Sequence, residues 1–350
     1  MTVIYSLLHM LVDGVCALAM FGYFVQGEDG HFAMLLYNFC AFALQMPLGI
    51  LLDILVLQKE GHKEKRTLGF ALTGVVVTVA GAFLHPVILG IGNALFHIGG
   101  GVGSIQEDRA KRWNGRGLGV FVAPGAFGLY IGTLLAKKGV VNLGLAVACG
   151  LLLVFSICAG MQLRRRKDFM SADRKTSYVA QSGQTKVVIL AFCCFVVVVL
   201  RSYIGMAVSF PWKQMPVLAG ISVLAVVCGK AAGGFFAAKY GHMQTAVLTL
   251  ILAGIGYVGL EIAPLGLAAL FLFNMTMPMT LYLLICAMPE VPGFSFGLLT
   301  FGLFLGFLPE YFGVQLPLSA QALGCMGSIV SMVILVCGIW IGGRQRYVSD

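Results

Sequence analysis

The sequence predicts an all-α integral membrane protein of twelve transmembrane helices arranged as two six-helix bundles. Three observations predict it. Hydrophobic residues make up 59% of the 350 and charged residues only 11%, with a mean hydropathy of +0.94. The apolar residues fall into twelve runs, each near the roughly 20 residues that a helix needs to cross a bilayer. The one long polar stretch, residues 164–185, divides these runs six and six. Almost nothing is left over for a soluble domain, so function must reside in the helices and their short links.

The runs cover 3–25, 32–57, 67–84, 86–106, 117–136, 141–163, 186–208, 215–239, 242–260, 264–288, 290–313 and 317–341. Segment 1 carries His9 and Asp13 within Leu-Leu-His-Met-Leu-Val-Asp-Gly, and segment 2 carries Asn38 and Gln45. Segments 3 and 4 are separated only at His85-Pro86, where proline forces the break. Segment 4 has Asn93 and His97 just before Gly99-Gly100-Gly101-x-Gly103, and segment 5 is rich in glycine around Pro124. Segment 6 has no charge before residue 164. Segment 7 holds Arg201 within Val-Val-Leu-Arg-Ser-Tyr, and segment 8 holds Lys230. Segments 9 and 10 part at Ala263-Pro264, and Asn274-Met275-Thr276-Met277-Pro278 interrupts segment 10 with polar and kinking residues. Glu310 falls near the outer end of segment 11, and segment 12 is apolar throughout. The expected units are therefore an N-terminal bundle over 1–163, a loop over 164–185 and a C-terminal bundle over 186–350.

The net charge of +9 would suit an anionic partner, but its distribution sets topology instead. Eighteen Lys and Arg residues fall on one side, in the 2–3, 4–5, central and 8–9 links and the C-terminal tail. The other side has only Lys137, Lys138 and Lys213. The positive-inside rule places both termini and the central loop in the cytoplasm, in a multi-pass protein of the plasma (inner) membrane. The Arg164–Lys167 run is read the same way, with no nucleic acid as partner. All ten cysteines lie inside apolar segments, without a CxxC, and read as small packing residues. Segment 1 lacks a basic leader and is long enough to span, so no cleavable signal is expected.

Ionisable groups within hydrocarbon are costly and mark pathways or sites. His9 and Asp13 are spaced i and i+4, which puts them on one helix face, and Asn93 and His97 repeat that spacing in segment 4. A carboxylate beside an imidazole suits proton exchange, so Asp13, His9 and His97 are the expected proton-coupling residues. Arg201 offers a planar five-donor fork for carboxylate, phosphonate or phosphate. With Asn93, His97, Asn274, Asn38 and Gln45 it forms the expected substrate-binding set. The bland readings are interhelical hydrogen bonds for His9, Asp13 and His97, and an interfacial anchor for Arg201.

An offset near 185 relates the halves: Pro47-Leu-Gly49-Ile-Leu-Leu-Asp53 corresponds to Ala232-Gly233-Gly234-Phe-Phe-Ala-Ala238. Six-helix halves with both termini inside are the layout of a rocking secondary transporter. Gly49-x-x-x-Asp53 with the basic run Lys63–Arg66 resembles the 2–3 loop motif of the major facilitator superfamily. Gly229-Lys230-x-x-Gly233-Gly234-x-x-Ala237-Ala238-Lys239-x-Gly241 resembles its second copy, with Ala238 where an acid would stand. The resemblance implies a conformational latch at Asp53, with Lys63, Arg66 and Lys230 as gating residues. Gly119-x-x-x-Ala123-Pro124-x-x-x-Gly128 is similar to an antiporter-associated motif and implies export rather than uptake. The stretch from Asn93 to Ala136 also resembles the fosmidomycin-resistance branch.

The expected function is proton-coupled transport of a small organic solute, anionic because of Arg201, by alternating access in a monomer without cofactor. The first alternative is a divalent transition-metal transporter using His9, Asp13 and His97 as ligands, since imidazole and carboxylate suit such ions. An intramembrane enzyme is disfavoured because no HExxH or GxSxG motif occurs, and ATP drive because no Walker motif does. A receptor without transport stands last.

Overall fold

The computed structural model describes residues 1–57, 63–166, 183–314 and 316–342. Among these are twelve helices: α1 (Thr2–Gly22), α2 (Gly30–Asn38 continuing to Gln45–Leu57), α3 (Lys63–Leu84), α4 (Pro86–Ala110), α5 (Arg116–Val122 and Gly125–Lys137) and α6 (Val141–Arg166). The second six are α7 (Gln184–Ala207), α8 (Pro216–Tyr240), α9 (His242–Val258), α10 (Ala263–Asn274 and Thr276–Ala287), α11 (Pro292–Tyr311) and α12 (Ala320–Gly342). Eleven are long and apolar enough to cross a membrane, and α9 at 17 residues is slightly shorter. Within the expected central loop, α6 runs on to Arg166 and α7 begins at Gln184. Most of that loop, with Lys59, Arg344 and Arg346, lies outside the described residues.

Three helices are not continuous, and the sequence explains two of them. Pro124 cannot donate a backbone bond and ends the first piece of α5. In α10 the break falls at Met275, one turn before Pro278. In α2 a π-helical turn at Phe39–Ala43 widens the helix between Asn38 and Gln45. No proline marks that position.

The central helices are the buried ones. In α4, 83% of the spanning window is buried, against 17% in α6, which therefore faces the surroundings. In the first half α1 packs on α5 and α3 on α4, and in the second α12 packs on α7 and α9. The halves meet where α2 packs on α11 and α5 on α8. Glycine permits both seams: Gly49 meets Gly293 backbone to backbone, and Gly234 of α8 meets Gly115. Gly229 and Gly233, read from sequence as part of a gating motif, seat α8 on the backbone of α10 at Phe271 and Met275.

The α2–α11 seam is closed at both ends. At the end carrying the basic links, the buried Asp53 carboxylate accepts the backbone N–H groups of Gly293 and Phe294, both at 2.8 Å. A carboxylate suits the first turn of a helix, where amides lack intrahelical partners. At the opposite end the rings of His31 and Tyr311 stack at 4.1 Å, and Tyr311 donates to the His31 carbonyl at 3.2 Å. Phe39 and Phe304 meet edge to face between these two points.

Candidate functional site

Helices α1, α4 and α5 bring four of the expected residues together. The buried Asp13 carboxylate lies with Oδ2 3.2 Å from His9 Nε2 and Oδ1 3.6 Å from His97 Nε2. Asn93 donates through Nδ2 to Oδ1 at 3.1 Å and also approaches Cys16 Sγ at 3.5 Å. The i, i+4 spacings deliver both pairs, because each aligns its two side chains on one face.

The other imidazole nitrogens decide the tautomers. His9 Nδ1 is 2.8 Å from the Phe121 carbonyl, and His97 Nδ1 is 2.9 Å from the Asn93 carbonyl. A carbonyl oxygen only accepts, so each Nδ1 carries a proton and donates. Each Nε2 therefore meets Asp13 either as an imidazolium N–H or as a bare lone pair. With both rings neutral, two lone pairs and an ionised carboxylate would face one another without a hydrogen. A proton held among them turns that repulsion into a charge-assisted hydrogen bond. Beside them Asn93 Oδ1 is buried without a hydrogen-bond partner.

Two features of this site were invisible in the motif pattern. The Phe121 carbonyl is a backbone group near the end of the first piece of α5. Gly125 opens the second piece, and a Cβ there would fall onto His9 Nε2 and Asp13 Oδ2. Beyond it Gly128 and Gly132 rest on the carbonyls of Met10 and Gly14. The glycine–proline stretch thus presses α5 onto the functional face of α1.

The C-terminal half contributes Arg201 and Lys230. Arg201 is 8% exposed, and its Nε is buried without an acceptor. It is buried within the protein, six residues before the end of α7. Lys230 is partly buried on α8, within electrostatic reach of Arg201, Asp13 and His97. Among the described residues neither cation has a hydrogen bond or ion pair.

The remaining expected residues do not join the cluster. Asn38, Gln45 and Asn274 donate to the carbonyls of Met34, Ala41 and Leu270, each four residues back in its own helix. Such bonds engage each amide nitrogen within its own helix, while Gln45 Oε1 is buried without a partner. Gln45 is fully buried, and its carbonyl lies against Gly297 in the α2–α11 seam. Around Asp53 the expected basic partners are elsewhere: Lys63 is exposed, and Arg66 donates to the Leu55 carbonyl. Arg109 takes that place. It lies within electrostatic reach of Asp53 and crosses between the halves to the carbonyls of Pro289 and Ile285, at 3.0 and 3.3 Å. Beside it, Asp108 accepts the amides of Gly115 and Gly117 and fixes the start of α5. In the sequence, Asp108 and Arg109 are indistinguishable from ordinary link charges.

No family model and no curated protein sequence matches the chain. Solved structures do. The chain superposes on the E. coli fucose:proton symporter with a TM-score of 0.59, at 11% identity over 98% of both chains. The chain has the major facilitator fold. A human organic anion transporter, TETRAN, aligns at a TM-score of 0.63 with 16% identity, covering 95% of this chain and 98% of that one. A bacterial homologue of the iron transporter ferroportin, in an outward-facing state with soaked iron, aligns at 0.60 with 12% identity over 97% and 99%. These neighbours are transporters, and at such identities the likeness establishes the fold alone. With eleven helices long and apolar enough to cross a membrane, it supports a multi-pass membrane protein.

Proposed function

We propose that the protein is a proton-coupled secondary transporter of a small organic anion, working by alternating access across the plasma membrane with both termini cytoplasmic. One observation carries the reading: His9 Nε2, His97 Nε2 and the Asp13 carboxylate converge, while both Nδ1 atoms are committed to carbonyls. That arrangement holds a proton in the path of a fold that rocks about its midplane. Arg201, buried and unpartnered in the opposite half, supplies attraction for an anion.

The three residues each offer a ligand atom within 4.8 Å of the others, so a transition metal about 2 Å from each would have to draw them together. Charge weighs against it. A divalent ion would join Arg201 and Lys230 around one carboxylate, four positive charges against one negative in a medium of low dielectric. A proton adds one charge, and an incoming anion removes at least one.

The same electrostatics favour the proton and the anion loading together, since each lowers the cost of the other. Exchange, with export of the solute, is the second reading, and the close α1–α5 packing around Gly125, Gly128 and Gly132 supports it. Reconstitution into proteoliposomes tests all of this. An imposed pH gradient should drive uphill movement of an anion, and the sign of the accompanying proton flux separates co-transport from exchange. Anion flux indifferent to the gradient would remove the proton from the mechanism.

A further inference from the structure

In the C-terminal half Arg201 is buried and Lys230 half-buried, and among the described residues neither has a counterion. In a membrane protein, cations within the bundle pair with acids or backbone carbonyls, and Arg109, in the last turn of α4, does so. Arg201 and Lys230 do neither among the described residues. Among the described residues Asp13 is the one acid within electrostatic reach of Lys230, and it is already engaged by Asn93 and faces two imidazoles. Lys230 is also well placed to meet cargo. Its carbonyl lies against Gly119 of α5, two residues before Phe121, whose own carbonyl holds His9. Lys230 thus sits at the seam where α8 abuts α5, the helix whose Phe121 carbonyl holds His9.

We propose that Arg201 and Lys230 together form a receptor for two negative charges on the transported solute, a phosphate monoester, phosphonate or dicarboxylate. This rests on the anion reading above and goes beyond it in assigning Lys230 to the substrate and fixing the charge. The two cations divide the work by chemistry. The guanidinium fork binds two oxygens of one group in plane, and the ammonium acts as a point charge that turns toward a third oxygen or a second carboxylate. A monoanion would leave one of the two cations uncompensated. A dianion balances both, while the charge of Asp13 is balanced by its own proton. Lys230, expected from its motif to be a gating residue, is in this assignment a specificity residue.

The test is a charge ladder measured by calorimetry or thermal shift on the purified full-length protein at pH 8. Triethyl phosphate, diethyl phosphate and ethyl phosphate carry zero, one and two negative charges, since a monoester's second ionisation lies near pH 6. Dimethyl succinate, monomethyl succinate and succinate repeat the series with carboxylates. The expected result is that each dianion binds roughly 10-fold or more tighter than its monoanion. Lys230→Gln should reduce that ratio to about one while monoanion affinity changes by less than about 3-fold. Arg201→Lys should weaken both anions. Equal affinity for monoanion and dianion in the wild type overturns the inference, as does an unaltered ratio in Lys230→Gln. In those cases anion transport itself stands, provided both anions outbind the neutral ester. Tightest binding of the neutral ester, or no binding by any anion, overturns the inference and the anion reading together. If Lys230→Gln fails to fold, the wild-type ladder alone decides.

Discussion

The two halves of the molecule treat their buried charges in opposite ways. In the N-terminal half Asp13, His9, His97 and Asn93 face one another across two helices and within 3.6 Å. In the C-terminal half Arg201 and Lys230 are left without partners among the described residues. A cluster whose members face one another needs only something as small as a proton to change its state. An unsatisfied one calls for a counterion from outside. Under the proposed function, the coupling ion falls to one half and the cargo to the other. In this conformation Lys230 lies within electrostatic reach of Asp13.

That contrast is open to attack by substitution. The largest effect is expected at Asp13. Asp13→Asn leaves two imidazoles facing a neutral amide and breaks a buried charged network, at a cost of about 3–5 kcal/mol. Anion accumulation driven by a pH gradient should vanish while solute exchange at equal pH persists, measured in proteoliposomes. Accumulation at the wild-type rate would move the coupling site elsewhere.

Arg201→Met should act with the opposite sign on stability. Removing an uncompensated buried charge is expected to stabilise the unliganded protein by about 1–3 kcal/mol, read as a higher Tm, while abolishing anion binding. A lower Tm would show that Arg201 has a structural partner and would erase the asymmetry between the halves.

The seam between the halves gives two smaller effects. Asp53→Ala removes the acceptor for the amides of Gly293 and Phe294, worth about 1–3 kcal/mol. A cysteine introduced at Val120 should then label faster from the basic side than in the parent, above the background of the native cysteines. Unchanged labelling would mean that Arg109 alone holds that end. Tyr311→Leu, which removes the stack on His31, is expected to cost about 0.5–1.5 kcal/mol and to raise labelling from the opposite side only.

The fold was legible because its signals are long and redundant. Twelve apolar runs, proline at the short links and a six-and-six division leave little choice of architecture. The core of the Asp13 cluster was legible too, since i, i+4 spacing is a property of the helix itself and places His9 with Asp13 and Asn93 with His97. What joined those pairs was not. The Phe121 carbonyl and the bare face of Gly125 are backbone features that depend on how α5 lies on α1, and no residue type announces them. Asn38, Gln45 and Asn274 misled for a related reason. A polar side chain in a membrane helix can bond to the carbonyl four residues back, which costs no tertiary contact and leaves no trace in the sequence. The partner of Asp53 was mislaid as well, because the residues nearest in sequence, Lys63 and Arg66, are not the nearest in space.

The unequal fastening of the α2–α11 seam has a thermal consequence. At the basic end, opening exchanges amide–carboxylate bonds for bonds to water and uncovers little apolar surface. At the other end it uncovers the rings of Tyr311, Phe304 and their neighbours, and such exposure raises the heat capacity. Hydrophobic closure weakens on cooling, so low temperature should tilt the resting population toward the form open at the aromatic end. The balance between the two open forms would then curve with temperature, turning the calorimetric trace of the empty carrier into a report of which door it prefers.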